Sequence, residues 1–222
     1  MKHLLGILGG MGAAAGVHFA QMLIQEAQKR GAKHDDEFPH FMLYNLPLSG
    51  MSENGVDDPV MVSNFVGAGL TRLKLAGCDK FLIACNSVHT PKITECTEDL
   101  VNMPFLAIKA ALLKAQGPVG VLCSESCKRD RIYDGFPIIQ TTADEQIKIN
   151  EAIGAVMAGD HNGKDFLEVG RVMKAMEARG AKAILVGCTE LPICVREEWV
   201  SIPVIDAGRL AVQHALDLMG HA

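Results

Sequence analysis

The sequence has no lysine/arginine cluster that suggests a nucleic-acid face, no apolar run near the length of a membrane span, and no cysteine pair at the spacing of a zinc site. Each absence closes a class of function. The formal charge of −5 comes from scattered residues, which leaves no basic face for nucleic acid. Crossing a bilayer takes roughly 20 consecutive apolar residues, so no membrane partner is expected. Seven cysteines without CxxC or paired Cys/His spacing indicate neither a disulfide framework nor a structural metal. Reduced thiols of a cytoplasmic protein are expected instead. The amino terminus, Met1-Lys-His-Leu-Leu-Gly-Ile-Leu-Gly-Gly-Met-Gly, imitates a secretory signal, but glycines interrupt its apolar region and the segment has an internal counterpart.

What remains is a chain of 222 residues, 49% hydrophobic and 21% charged, enough for one large domain or two small ones. Leu4 to Leu8 reads as a buried strand that turns at Gly9-Gly10-Met11-Gly12 into a helix over Ala13 to Arg30. Phe41 to Asn45 is a second strand, Ser49 to Pro59 a polar loop, and Val60 to Ala76 a helix closed by Gly77. The strand ending at Cys85 follows, and Thr90-Pro91 suits a helix start. In the second part, Val119 to Cys123 is a strand with the hydroxyl-rich loop Ser124 to Cys127, and Ile138-Ile139 is a weak strand. Helices span Ala143 to Met157, Lys164 to Arg179 and Gly208 to Met219, with a strand to Cys188 and another at Ile202 to Asp206.

The parts echo one another. Gly77 to Cys85 and Gly180 to Cys188 both place a glycine eight residues before a cysteine, with three bulky apolar residues ending two places before it. Gly6-Ile-Leu pairs in the same way with Gly120-Val-Leu, and Pro104-Phe-Leu with Pro203-Val-Ile. The order implies two pseudo-symmetric α/β halves, each a small parallel sheet flanked by helices in three layers. The expected boundaries are 1–102 plus 207–222 for the first domain and 103–206 for the second. Ligands of open parallel sheets bind beyond the carboxyl ends of the strands. Facing halves would therefore bring both thiols to one cleft.

A buried cysteine is most often a small apolar side chain, which describes Cys78, Cys96 and Cys194. Cys85 and Cys188 differ, since each sits where a strand gives way to a polar loop. A following helix amino terminus would lower a thiol pKa from its usual value of roughly 8.5. One cysteine suits nucleophilic catalysis. Two on opposite faces of a carbon can remove a proton from one side and return one from the other, which inverts that carbon.

These residues carry a resemblance. Gly6-Ile-Leu-Gly-Gly-Met-Gly12, Ala84-Cys-Asn-Ser-Val-His89, Ala143-Asp-Glu-Gln-Ile-Lys148 and Gly187-Cys-Thr-Glu-Leu191 together resemble the aspartate/glutamate racemase superfamily, in particular its aspartate racemase branch. The resemblance implies racemisation of an amino acid without pyridoxal phosphate or any other cofactor, by a protein that commonly forms a homodimer. Cys85 and Cys188 would be the acid/base pair. Asn86, Ser87 and Thr189 would hold the substrate carboxylate with backbone N–H groups near Met11. Lys148 would meet an acidic side chain, while Asn45 and Ser124, in the neighbouring strand-end loops, complete the candidate set. Glutamate racemases usually have histidine where this chain has Glu190 and aspartate where it has Gly9. Some aspartate racemases also grip the distal carboxylate with an arginine in the loop after the second strand, but Leu46 to Gly55 holds no arginine or lysine.

Rival readings are few. A dinucleotide site fails on spacing, because three residues rather than two separate Gly12 from Gly16, and the second strand ends at Asn45 rather than an acidic residue. Hydantoin racemases and maleate isomerases of the same superfamily also use two cysteines, and arylmalonate decarboxylases use one. A two-lobed binding protein with core cysteines is the alternative outside catalysis. His89 is either a modifier of Cys85 or a capping or surface group.

Overall fold

The computed structural model describes residues 3–52, 54–94, 99–160 and 165–221. Cys96, Lys164 and the centre of the 159–163 interruption lie outside them. The chain forms two compact units, Met1–Gly50 with Asp58–Met103 and Gly208–Ala222, and Met51–Asp57 with Pro104–Ala207.

The first unit is built on a parallel sheet of β1 (Leu5–Gly9), β2 (Phe41–Asn45) and β5 (Lys80–Ile83), with β1 in the centre. β1 is buried along its whole length, as expected for a strand covered on both faces. Helix α1 (Ala13–Lys29) buries Ala15, Phe19, Met22, Leu23 and Ala27 at helical spacing. Asp58 starts α2 (Pro59–Leu75) by accepting from the Met61 N–H at 2.9 Å, and Pro59 supplies its first turn. At Gly69 a β-carbon would come within 2.7 Å of Leu8 Cδ1, so α2 lies directly on β1.

The second unit carries the antiparallel ribbon β3 (Met51–Ser52) and β4 (Gly55–Val56), which the sequence reading treated as loop. Its main sheet is parallel, with β6 (Val119–Leu122) and β8 (Ala183–Val186) central, and β7 (Ile138–Ile139) and β9 (Val204–Asp206) at the edges. Helices α5 (Ala143–Met157) and α6 (Asp165–Ala178) cover it, with Ile149, Ile153, Val169 and Met173 packed on Leu122, Ile184 and Val186. A reciprocal cap opens α5, since Glu145 N–H donates to Thr142 Oγ1 and Thr142 N–H to Glu145 Oε2.

Pro104 to Ile108 is not a strand. It lies in α3 (Met103–Ala115), where proline in the first turn and the Ala, Leu and Lys that follow favour helix. The true counterpart of β9 is Leu100, a single bridge to Phe81, where Phe81 N–H donates to Asp99 O and Val101 N–H to Phe81 O. Two further differences concern the cysteine loops. Thr90 begins only a turn through Ile93 rather than an assigned helix, and Ser124 opens the short helix α4 (Glu125–Arg129) rather than a loop. The last helix, α7 (Ala207–Leu218), completes the chain. None of the described helices is long and apolar enough to cross a membrane.

Candidate active site

In the first unit the carboxyl ends of β1, β2 and β5 bring together Met11, Asn45, Cys85, Asn86 and Ser87. The loop after β1 can exist only as glycine. Leu46 N–H donates to Gly9 O at 3.0 Å, and Gly10, at φ +106°, would place a β-carbon 2.0 Å from Leu46 O. Beside it, Asn45 Oδ1 lies 2.9 Å from where a Gly9 β-carbon would sit. Ala84 N–H extends the ladder by donating to Leu8 O, and Cys85 is the next residue, buried like Asn86 and Ser87.

His89 follows in the same loop. Its ring bonds the Ile83 carbonyl, and burial outweighs that bond and lowers the imidazole to about 4. It is therefore neutral at physiological pH, and it brings no positive charge toward Cys85. Nε2 has no hydrogen-bond partner among the described residues.

In the second unit Ser124, Cys188 and Thr189 stand at the carboxyl ends of β6 and β8. Gly187 N–H donates to Leu122 O at 2.7 Å, prolonging the ladder past Val186. A β-carbon on Gly187 would lie 2.5 Å from the Tyr133 hydroxyl, so the residue before the cysteine has no room for a side chain. The Cys188 thiol donates to Glu190 Oε2 at 3.2 Å, and Thr189 Oγ1 donates to the same oxygen at 2.8 Å. Glu190 is itself buried. Burial first, then the Glu190 charge, pushes the Cys188 thiol well above its ordinary range.

This corrects the expected helix effect. Bends and the turn Leu191–Ile193 follow Cys188, and turns follow Cys85, so no α-helix amino terminus among the described residues stabilises either thiolate. Ser124 caps α4, accepting from Cys127 N–H at 3.3 Å. Lys148 lies on an exposed part of α5 and pairs with Glu151 at 2.9 Å.

Sequence reasoning missed the surroundings of Cys188. Cys127 bonds the Cys123 thiol, and both lie within electrostatic reach of Cys188, so three buried thiols share one strand-end region. The interval from Cys123 to Cys127, across a capping serine, was the available signal. Gln146 also went unnoticed; buried in α5, it donates to Cys123 O and to Asn150 Oδ1, both at 2.9 Å. Among the described residues no group of His, Cys, Asp or Glu is arranged to hold a metal ion.

A sequence model of the Asp/Glu/Hydantoin racemase family matches residues 8–215, a span that contains both cysteine-bearing strand ends. The chain belongs to this racemase family. The broad specificity amino-acid racemase RacX of Bacillus subtilis (strain 168) is 26% identical over 216 residues, covering 92% of each chain. Among solved structures, Picrophilus torridus aspartate racemase superposes with a TM-score of 0.80 at 24% identity, covering 98% of this chain and 94% of its own. The glutamate racemase of Thermus thermophilus, in complex with β-chloro-D-alanine, gives a TM-score of 0.71 at 15% identity, covering 99% and 82%. The racemase fold of parallel sheets flanked by helices is thus shared across both substrate branches.

Proposed function

We propose that this family member is a cofactor-independent amino-acid racemase that inverts Cα by two-base proton transfer between Cys85 and Cys188, with aspartate and glutamate as the first substrates to test. One observation carries the reading. Two sheets with matching strand order each deliver a buried cysteine just past the strand that follows a glycine-bearing central strand. A thiolate takes the α-proton on one side while a thiol gives its proton on the other. The product leaves with inverted configuration, and the two sulfurs have exchanged protonation states. Asn86, Ser87, Thr189 and the backbone near Met11 are the groups proposed to hold the α-carboxylate, with Asn45 and Ser124 beside them. A carboxylate so held makes the α-proton easier to remove, because charge developing at Cα meets fixed donors.

For the distal carboxylate the proposed partner is Lys148, released from Glu151. Leu46 to Gly55 offers no cation for that role, which favours a second reading in which acidic side chains hold no monopoly. That the Bacillus subtilis relative is a broad specificity amino-acid racemase is in keeping with it.

The test is incubation in deuterated water with aspartate, glutamate and a panel of other amino acids, without pyridoxal phosphate. Deuterium at Cα together with the opposite enantiomer is expected. Cys85→Ser and Cys188→Ser should each reduce racemisation by at least about a thousandfold, on the scale of losing an acid or base. Undiminished turnover in either variant refutes the assignment, and ligand-induced stabilisation without exchange would make the protein a binder.

A further inference from the structure

Two of the buried thiols take no part in the proposed reaction, and they are bonded to each other. Cys123 is the residue after β6 and Cys127 lies in the first turn of α4, with Ser124 between them as the cap that accepts from Cys127 N–H at 3.3 Å. That turn brings the second sulfur back to the first, and the Cys123 thiol bonds to Cys127. Thiols serving only as apolar filling would be enclosed by other side chains. These border a cavity of about 10 Å³, room for about one water, which Lys128, Arg131, Tyr133 and Gln140 also line. Arg131 and Gln140 are exposed, so the cavity reaches the surface. Lys128 is held beside it by donating from Nζ to Thr141 O at 2.9 Å.

The charges around the pair separate its two sulfurs. The bond to Cys127 first, then burial, and then the charge of Cys127 hold the Cys123 thiol well above its ordinary range, while Lys128 pulls the other way. The charge of Cys127 raises Cys188 as well. When two bonded thiols give up one proton, the S–H that remains stays as a donor to the thiolate. Here Cys123 keeps the proton and Cys127 carries the charge.

We propose that Cys123 and Cys127 form a redox-active dithiol, a modification site that closes to a disulfide when a small hydroperoxide enters the cavity. The Cys127 thiolate attacks one peroxide oxygen, the O–O bond breaks, and hydroxide leaves with its electron pair, which gives a sulfenic acid on Cys127. The Cys123 sulfur then attacks that sulfur, and the sulfenic hydroxyl leaves as water with the Cys123 proton. The hydroxide takes up the proton that Cys127 had released. In sum, two thiols and one hydrogen peroxide become a disulfide and two waters, with two electrons passing from sulfur to oxygen. A dithiol reductant returns them by exchange. Closure draws the sulfurs to about 2.05 Å and pulls the first turn of α4 toward the end of β6, with Ser124 between them. It also takes the charge of Cys127 away from Cys188.

The sequence makes the test direct, because trypsin cutting after Lys114 and Lys128 releases one peptide that holds Cys123 and Cys127 and no other cysteine. The whole protein is exposed to hydrogen peroxide, denatured in iodoacetamide, digested and weighed by mass spectrometry. Most of that peptide should lack both alkyl groups and be lighter by two hydrogens than its reduced form. Dithiothreitol before alkylation should restore two alkylated cysteines. A peptide that stays doubly alkylated, that gains oxygen instead, or that is joined to the peptide 183–196 holding Cys188 overturns the proposal. In Cys127→Ser the sulfur that attacks peroxide is gone, so Cys123 should still be alkylated after the same exposure. Loss of that alkylation overturns the roles assigned to the two sulfurs. The reading on the unaltered protein stands even where the variant does not fold. Neither readout needs turnover, so a protein that racemises nothing still answers here.

Discussion

His89 shows how a single side chain can bring a pH dependence into a thiol loop. A half-buried, singly bonded imidazole remains neutral, and its cost appears as a pH dependence of folding. The group's folded value of about 4 lies below the usual 6.5, so the unfolded chain binds more protons between those values. Stability is then complete above about pH 6.5 and falls as the pH drops toward 4. Integrated over that window, His89 should cost the protein about 2 kcal/mol between pH 7 and pH 5. Urea unfolding at the two pH values measures this. His89→Gln, which keeps a donor for the Ile83 carbonyl but cannot take up a proton, should flatten the difference; an unchanged slope would place the imidazole in water.

At the level of elements, a pattern is legible when its own local physics decides it. Strands β1, β6 and β8 were readable because burial on both faces demands an unbroken apolar run, and in β6 and β8 a thiol, Cys123 and Cys188, marks where the run stops. Pro104-Phe-Leu misled because an apolar run of that length also fits one face of a helix, and only the sheet partner decides between them. The α4 turn and the β3–β4 ribbon were invisible for another reason. Each is too short to show a period, and both are fixed by partners distant in sequence, as when Arg129 donates to Val56 O at 3.3 Å. Glu26 belongs to the same class. Buried in α1, it binds Lys29 at 2.6 Å, Arg209 at 2.8 Å and Gln213 Nε2 at 3.1 Å, which joins α1 to α7. Burial alone would raise this carboxyl, but the bonds to Lys29 and Gln213 and the two cations bring it below the ordinary carboxylate value. Glu26→Ala removes the common acceptor of Lys29, Arg209 and Gln213; because both cations are about half exposed and can be solvated, the loss should be about 1–2 kcal/mol, the scale of a hydrogen bond to a charged group. Denaturant unfolding is the measure, and a change below about 0.5 kcal/mol would class the group with ordinary surface pairs.

The whole chain is threaded so that neither unit is a continuous segment. After β9 the chain returns to the first unit as α7, where Ala211, Val212, Ala215 and Leu216 are fully buried and Arg209 and Gln213 reach Glu26. The second unit keeps all four strands and the α5–α6 core without that helix. A chain ending at Ala207 therefore loses the valine and leucine burial, roughly 1.5–3 kcal/mol for each side chain, together with the partners of Glu26. That loss falls on the first unit, which carries Cys85. Hydrogen exchange should then find the amides of β1 and β5 unprotected while those of β6 and β8 stay protected. Racemisation should be absent, because one of the two proposed bases has lost the strand end that holds it. Uniform loss of protection across both sheets would instead mean that the units fold as one cooperative body, and retained protection in β1 would mean that α7 is dispensable to the first.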